Sequence, residues 1–419
     1  MEKKITAASG VPIYSYTNPA QHSFFISLFV RAGSMFEEQS GITHFFEHVA
    51  IRNVNYMMSG ELYAVLDRYG LEFNASTSNE MVQFYITGSD AHFRLGAEII
   101  TRVLSEIVLP SSEIDRERDR IRAEIREVDE ASTLAGFTAS RVFEGTKLAR
   151  SITGTLGSVA KIGVRALEGF RRQTLVRENV FFYVTGNVCD EDIKYLGREV
   201  DKYDVPSGIY NANVAPVPGS FGARSAAVHL KGADFTKVRF NFDVDMTKCT
   251  LPELDLLYDQ LLGGYNSEFF LEMSERRGIF YDLSGTTERY KNVGVFSFSY
   301  ELKEAKLAEA VGITVDILRR FKSSTVAEKD FITAGYIDNA MMLYDDSREL
   351  NFTFSYDNHI MGLGYESIEA RRSAYKAVTP ERLRELACDI FTPDNLTLTV
   401  KGKRSRIDTD ALRDILLKL

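Results

Sequence analysis

Apolar positions along this chain follow two rhythms, one of strands and one of helices. Phe24-Phe25-Ile26-Ser27-Leu28-Phe29-Val30 is a β-rich run closed by Ala32-Gly33-Ser34, and residues 5–32 read as strands. The rhythm then turns helical. With His44 set at 0°, Ile42, Phe45, Phe46, Val49 and Ala50 fall between roughly 100° and 240° of a helical wheel, one stripe that grips a core. A second helix follows Ser59-Gly60, with Leu62, Val65, Leu66 and Tyr69 at helical spacing and Gly70 as its stop. Residues 71–75 and 82–86 alternate as paired strands around a polar turn, Ser76 to Glu80. Pro110-Ser111-Ser112 opens a long charged helix over about 112–131, whose apolar positions are Ile114, Ile121, Ile125 and Val128. Residues 165–188 give a further helix and then the strand Asn179–Gly186.

From Pro206 to about Gly222 the texture changes to Pro, Gly and Asn without a long apolar run. This places a linker at 208–226, between a domain 1–207 and a domain 227–419. Past the linker the chain repeats itself in order. Asn395–Gly402 matches the strand Asn179–Gly186 at an offset of 216 residues, and Phe240, Phe242 and Val244 match Phe24, Ile26 and Leu28 at the same offset. Gly278-Ile279-Phe280-Tyr281 matches Gly70-Leu71-Glu72-Phe73 at 208. Strands and helices mix in each half without strict βαβ alternation. The expected class is α+β: two homologous domains, each a largely antiparallel sheet with helices packed on one face.

The 419 residues are too many for one ordinary core and suit two or three domains. A net charge of −9 argues against nucleic acid and anionic membrane as main partners. No apolar run approaches the roughly 18 residues of a membrane span. Met1-Glu2-Lys3-Lys4-Ile5 carries charge with no apolar stretch behind it, so no secretory signal is expected. Cys189, Cys249 and Cys388 are few and far apart, which fits a reducing, cytoplasmic setting and no disulfide framework.

The chemistry concentrates in Gly41-Ile42-Thr43-His44-Phe45-Phe46-Glu47-His48, which contains His-x-x-Glu-His. On the wheel His44, Glu47 and His48 lie near 0°, 300° and 40°, opposite the apolar stripe. Two imidazoles one turn apart suit a tetrahedral Zn²⁺, and a neighbouring carboxylate suits a base acting on water. The competing reading is a solvated polar face. On the long charged helix, Glu117 and Glu124 lie within roughly 20° of each other at the edge of the apolar stripe. Carboxylates at a buried edge need partners. Ion pairs with Arg and a metal site both meet that need.

Together, the His motif, the Glu124 helix with Ile121-Arg122-Ala123-Glu124-Ile125, and a second half without the motif resemble the pitrilysin/insulinase family of zinc peptidases. The nearest likeness is to its small bacterial and processing-peptidase-like members, and it covers nearly the whole chain. The resemblance implies a zinc metalloendopeptidase that cleaves unfolded peptides. His44, His48 and Glu124 would ligate zinc, Glu47 would be the general base, and Glu117 would orient the site. Asn74-Ala75-Ser76-Thr77 would be the edge strand to which a substrate peptide adds. The alternative is an inactive scaffold or partner subunit of the same fold.

Two departures from the family pattern stand out. Relatives often follow the His helix with Phe-x-Gly-Thr, where this chain has Ile51-Arg52-Asn53-Val54. The family also pairs a second-domain Arg with a Tyr seven residues later, both reaching the substrate near the zinc; the resemblance implies that catalytic role for Tyr281, but the Arg position is Ser274. Two domains are half of the four-domain chamber of larger relatives, so the resemblance implies a dimer; Ser274 points to a heterodimer with a paralogue that supplies the Arg, and the alternative is a homodimer in which Arg276 or Arg277 substitutes.

Overall fold

The runs Ser23–Val30 and Val180–Gly186 are apolar without alternation because both lie at the centre of one sheet, covered on both faces. The computed structural model describes residues 1–265, 267–280, 283–323 and 333–419. Its first sheet contains β1 (Lys3–Thr6), β2 (Pro12–Thr17), β3 (Ser23–Val30), β4 (Glu72–Thr77), β5 (Val82–Ser89) and β6 (Val180–Gly186). The order is β1-β2-β6-β3-β5-β4, and only β2 and β6 pair in parallel. Strand β4 is an edge strand, with Glu72 opposite Thr87 and Thr77 opposite Val82.

On one sheet face Phe24, Ile26, Leu28, Val180, Phe182 and Val184 enter the main core. The helices that supply the other side of that core include α1 (Ile42–Met57), α2 (Leu62–Tyr69), α3 (Phe93–Thr101) and α4 (Ser111–Glu127). Helix α2 ends on Gly70 with φ 61°, a left-handed residue that a β-carbon would strain. Helix α4 stops at Glu127 rather than near 131. Val128 has left helical geometry and is 57% exposed, because at Ala131 the chain enters the second compact unit.

The second sheet contains β7 (Ala227–Gly232), β8 (Thr236–Asp245), β9 (Leu283–Arg289), β10 (Val293–Leu302) and β11 (Leu396–Gly402), in the order β7-β11-β8-β10-β9. It repeats β2-β6-β3-β5-β4 strand for strand. The central strands β6 and β11 begin and end 216 residues apart. Gly70 and Gly278 are both left-handed, with φ 61° and 55°. The chain is thus an α+β protein of two mixed helix–sheet domains.

The compact units do not follow the chain as contiguous halves. The first comprises Met1–Glu130, Arg150–Asn213 and Ala340–Ile368; the second comprises Ala131–Ala149, Val214–Asn339 and Glu369–Leu419. The physical cause is the outer face of each sheet, which needs cover. In the first unit Phe29, Phe181 and Tyr183 point away from the main core and meet Leu350, Phe354 and Ile360, from the later segment Ser347–Met361. In the second unit α5 (Leu134–Val142), from the earlier part of the chain, lies on the outer face, where the Thr138 and Thr399 hydroxyls meet at 2.7 Å.

Asn351 fastens the later segment to the first sheet. Its Oδ1 accepts from Ser27 Oγ at 2.7 Å, and its Nδ2 donates to the Tyr183 carbonyl at 2.9 Å. The site is fully buried. Asn351→Leu keeps the volume but leaves those groups unmet, with an expected loss of about 2–4 kcal/mol in stability by urea unfolding. A change below about 0.5 kcal/mol, the scatter of an inert surface substitution, would remove Asn351 as the fastening.

Candidate metal centre

Helix α1 begins on Gly41, whose φ of 85° and close approach to Thr153 both exclude a side chain; a β-carbon there would lie 2.8 Å from the Thr153 carbonyl oxygen. Its first turn is capped from upstream. The buried Glu37 carboxylate accepts from the Gly41 and Thr43 amides at 2.8 and 3.2 Å. A carboxylate suits the positive end of a helix, which fixes where α1 starts and so where its third residue, His44, stands. Phe45, Phe46 and Val49 anchor the opposite stripe in the core.

Most of the polar face of α1 is covered. His44 and Glu47 are each 8% exposed. Helix α4 lies across this face, held by buried Ile114 and Ile121, and brings Glu117 and Glu124 with it. Glu124 Oε1 is 3.6 Å from His44 Nε2, and Glu124 Oε2 is 3.6 Å from His48 Nε2. One donor atom from each of His44, His48 and Glu124 can be chosen so that all lie within 4.8 Å of one another.

These residues fit a zinc ion. At 3.6 Å the contacts are too long for hydrogen bonds. Donors held about 2.0–2.2 Å from a tetrahedral ion stand roughly 3.3–3.6 Å apart, and two imidazoles with one carboxylate form a familiar donor set for zinc.

His48 Nδ1 faces Glu117 Oε2 at 3.5 Å. Glu117 is itself 2% exposed and is approached by Arg120 at 3.4 Å and Arg52 at 3.7 Å. This contact favours the proton at Nδ1 and leaves the Nε2 lone pair towards Glu124. Thr77, on β4, donates to Glu47 Oε2 at 2.5 Å. Glu47 therefore belongs to the site through the sheet as well as through its helix.

The electrostatics separate the two histidines. Burial, aided by the charge of His48, holds the His44 imidazole down at about 4. Burial also works against a charged His48, but the Glu117 contact and the Glu47, Glu124 and Glu117 carboxylates outweigh it and raise that ring. Burial raises the Glu47 carboxyl, against the pull of the Thr77 hydrogen bond and His48; Glu124 adds to the rise. Burial acts the same way on Glu117, yet His48, Arg120 and Arg52 bring it below the ordinary carboxylate value.

Asn74, Ala75, Ser76 and Thr77 lie in sequence on β4, the free edge of the sheet. Phe73 and Ala75 pack towards the main core on the side from which Thr77 reaches Glu47, while Glu72, Asn74 and Ser76 are exposed. Tyr281 lies outside the described residues. Ser274 is half-buried in the wide helical turn Phe270–Glu275, and Arg276 and Arg277 are both engaged by Glu272.

The profile of Insulinase (Peptidase family M16) matches residues 13–156, and that of the Peptidase M16 inactive domain matches residues 161–334. The chain belongs to the M16 insulinase family. Among M16 relatives, an uncharacterized zinc protease of Bacillus subtilis, YmxG, is 22% identical over 94% of this chain and 97% of its own. A crystal structure titled as the peptidase M16 inactive domain from Pseudomonas fluorescens superposes with a TM-score of 0.82, at 14% identity, over 96% of this chain and 98% of that one. A chain of complex III2 from Candida albicans gives 0.81 at 13% identity, covering 99% of both. At these identities the structural likenesses show the fold alone. No helix among the described residues is long and apolar enough to cross a membrane.

Arg52, Glu113 and Asn53 belong to this site without having been singled out by the sequence pattern, and so does the contact of Thr77 with Glu47. Arg52, one turn beyond His48, ion-pairs with Glu113 as well as approaching Glu117. Glu113 sits one turn before Glu117 on the same stripe, so spacing would have flagged it. Asn53, where relatives often have Gly, donates to the Glu106 carbonyl at 2.9 Å and accepts from the Val108 amide at 2.9 Å, tying α1 to the following loop. The Thr77–Glu47 contact joins two elements, and no local spacing announces it.

Proposed function

We propose that this chain is a zinc-dependent endopeptidase that cleaves unfolded peptides. The observation that carries the reading is the convergence of His44, His48 and Glu124, with the buried Glu47 carboxylate beside them. His44, His48 and Glu124 would hold the metal. When bound, zinc supplies Lewis acidity, which activates water and polarises a carbonyl. Glu47 receives the proton: Thr77 occupies its Oε2, so Oε1 is the oxygen left to accept. Glu117 keeps the His48 ring oriented through Nδ1. The free edge of β4 offers main-chain hydrogen bonds to an extended peptide, a mode that reads backbone more than side chain. The free cysteines support a cytoplasmic location.

The test is hydrolysis of a quenched, unstructured peptide with and without a chelator, beside metal analysis. About one zinc per chain and chelator-sensitive cleavage are expected. A zinc-loaded protein inert to a broad peptide library, alone and with candidate partners, would favour the scaffold reading.

Ser274 bears on assembly. The reading includes a heterodimer, this chain carrying the zinc and a paralogue supplying an Arg and a Tyr near the substrate. Arg276 and Arg277 are poor stand-ins, since both pair with Glu272. A guanidinium bonded to a substrate carbonyl contributes about 1.5–3 kcal/mol, roughly tenfold to a hundredfold in rate. Ser274→Arg is therefore expected to raise the activity of the isolated chain by about that factor. Full activity as a homodimer, unchanged by Ser274→Arg, would remove the heterodimer.

A further inference from the structure

Segment Ser347–Met361 does more than cover the outer face of the first sheet. Two of its long side chains also reach the two ends of the free edge strand. At one end Arg348 Nη2 donates to Glu72 Oε2 at 2.7 Å, and its guanidinium lies over the Tyr85 and Phe25 rings at 5.1 and 5.5 Å. At the other end Tyr356 Oη donates to Glu80 Oε1 at 3.2 Å, just past β4. Between them stands Phe352, 44% exposed and stacked on Tyr356 with ring centroids 6.0 Å apart. Arg348 and Phe352 are one turn apart on the α-helix Ser347–Phe354, and Tyr356 follows in the wider helical turns of Ser355–Met361.

Four residues of helix rise about 6 Å, and two residues of strand rise about 6.4–6.8 Å. Arg348 and Phe352 are therefore spaced like alternate side chains of a strand. On β4, Glu72, Asn74 and Ser76 face outwards, on the side where Asn74 pairs with Tyr85, while Thr77 faces Glu47. A peptide added to the edge would present its side chains to these two sides in turn.

We propose that Arg348, Phe352 and Tyr356 form a specificity-determining ledge for the outward-facing side chains of a peptide strand bound on β4. The occupant is an extended peptide with a large apolar or aromatic residue opposite Phe352. The two neighbours of Phe352 on the ledge are held by carboxylates at either end, so the exposed ring is the part available for a new contact. This rests on the peptidase reading and adds a side-chain preference to a site otherwise read through backbone.

Binding can be measured without cleavage, on the Glu47→Gln chain, by anisotropy of labelled ten-residue peptides in which one Phe is moved along a polar background. Affinity is expected to rise at alternate positions. Phe352→Ala is expected to remove that gain, about tenfold, and leave the all-polar peptide unchanged. Circular dichroism and melting confirm that the exposed substitution leaves the fold intact. No alternation, no effect of Phe352→Ala, or equal weakening of every peptide would overturn the ledge. Hydrolysis by the unsubstituted chain is followed separately. Peptides that bind with Phe352 dependence but are never cut support the ledge and remove the peptidase reading. Peptides that are cut without Phe352 dependence do the reverse, and absence of any binding overturns both.

Discussion

Glu47→Gln is expected to lower kcat for peptide hydrolysis by about 10²–10⁴-fold, the usual contribution of a general base. The amide has the same shape and still accepts from Thr77 through its carbonyl oxygen, but it cannot take a proton. Glu47 is not one of the three convergent donors, so bound zinc should stay at the level of the unsubstituted chain. The pH profile adds an independent readout. A base acts only when ionised, and burial raises the Glu47 carboxyl above the ordinary value. Bound zinc opposes that rise, so the readout is the acid limb of kcat/KM itself, which should vanish from the residual activity of the variant. Zinc retained with full hydrolysis would take Glu47 out of the mechanism.

Much of this molecule can be read from its sequence, and the unread parts share a cause. Strands β6 and β11 stand out as apolar runs because each is central to its sheet, so the repeat at offset 216 survives divergence elsewhere. The helical wheel put His44, Glu47 and His48 on one face because that depends on local geometry alone. It left open whether that face was wet, since burial is supplied by α4 and β4, remote in sequence. The exchange of covering segments between units is hidden for the same reason. An apolar stripe on Ser347–Met361 tells that the segment packs, but not on which sheet. The sequence pattern carries α4 past Glu127 because Val128 continues its stripe, whereas in the fold Val128 is exposed.

Glu124→Gln is expected to have the largest effect on the metal itself. Each oxygen of Glu124 faces a different imidazole, Oε1 towards His44 and Oε2 towards His48, so this side chain joins the two histidines into one donor set. It comes from α4 while the histidines come from α1, and so the site exists only when the two helices are packed. A neutral amide keeps the shape but removes the charge that balances the cation. Zinc affinity should fall more than for Glu117→Gln, whose Glu touches only His48 within the donor set and whose loss should cost about 10–100-fold, as for other outer partners of metal ligands. A ligand that binds only the folded chain raises its melting temperature. Added zinc should therefore raise the melting temperature of the unsubstituted and Glu117→Gln chains and leave Glu124→Gln almost unmoved. The readout is independent of catalysis. Equal zinc content after dialysis and an equal thermal shift in Glu124→Gln would show that the histidines hold the ion without α4, and the third ligand would have to be sought elsewhere.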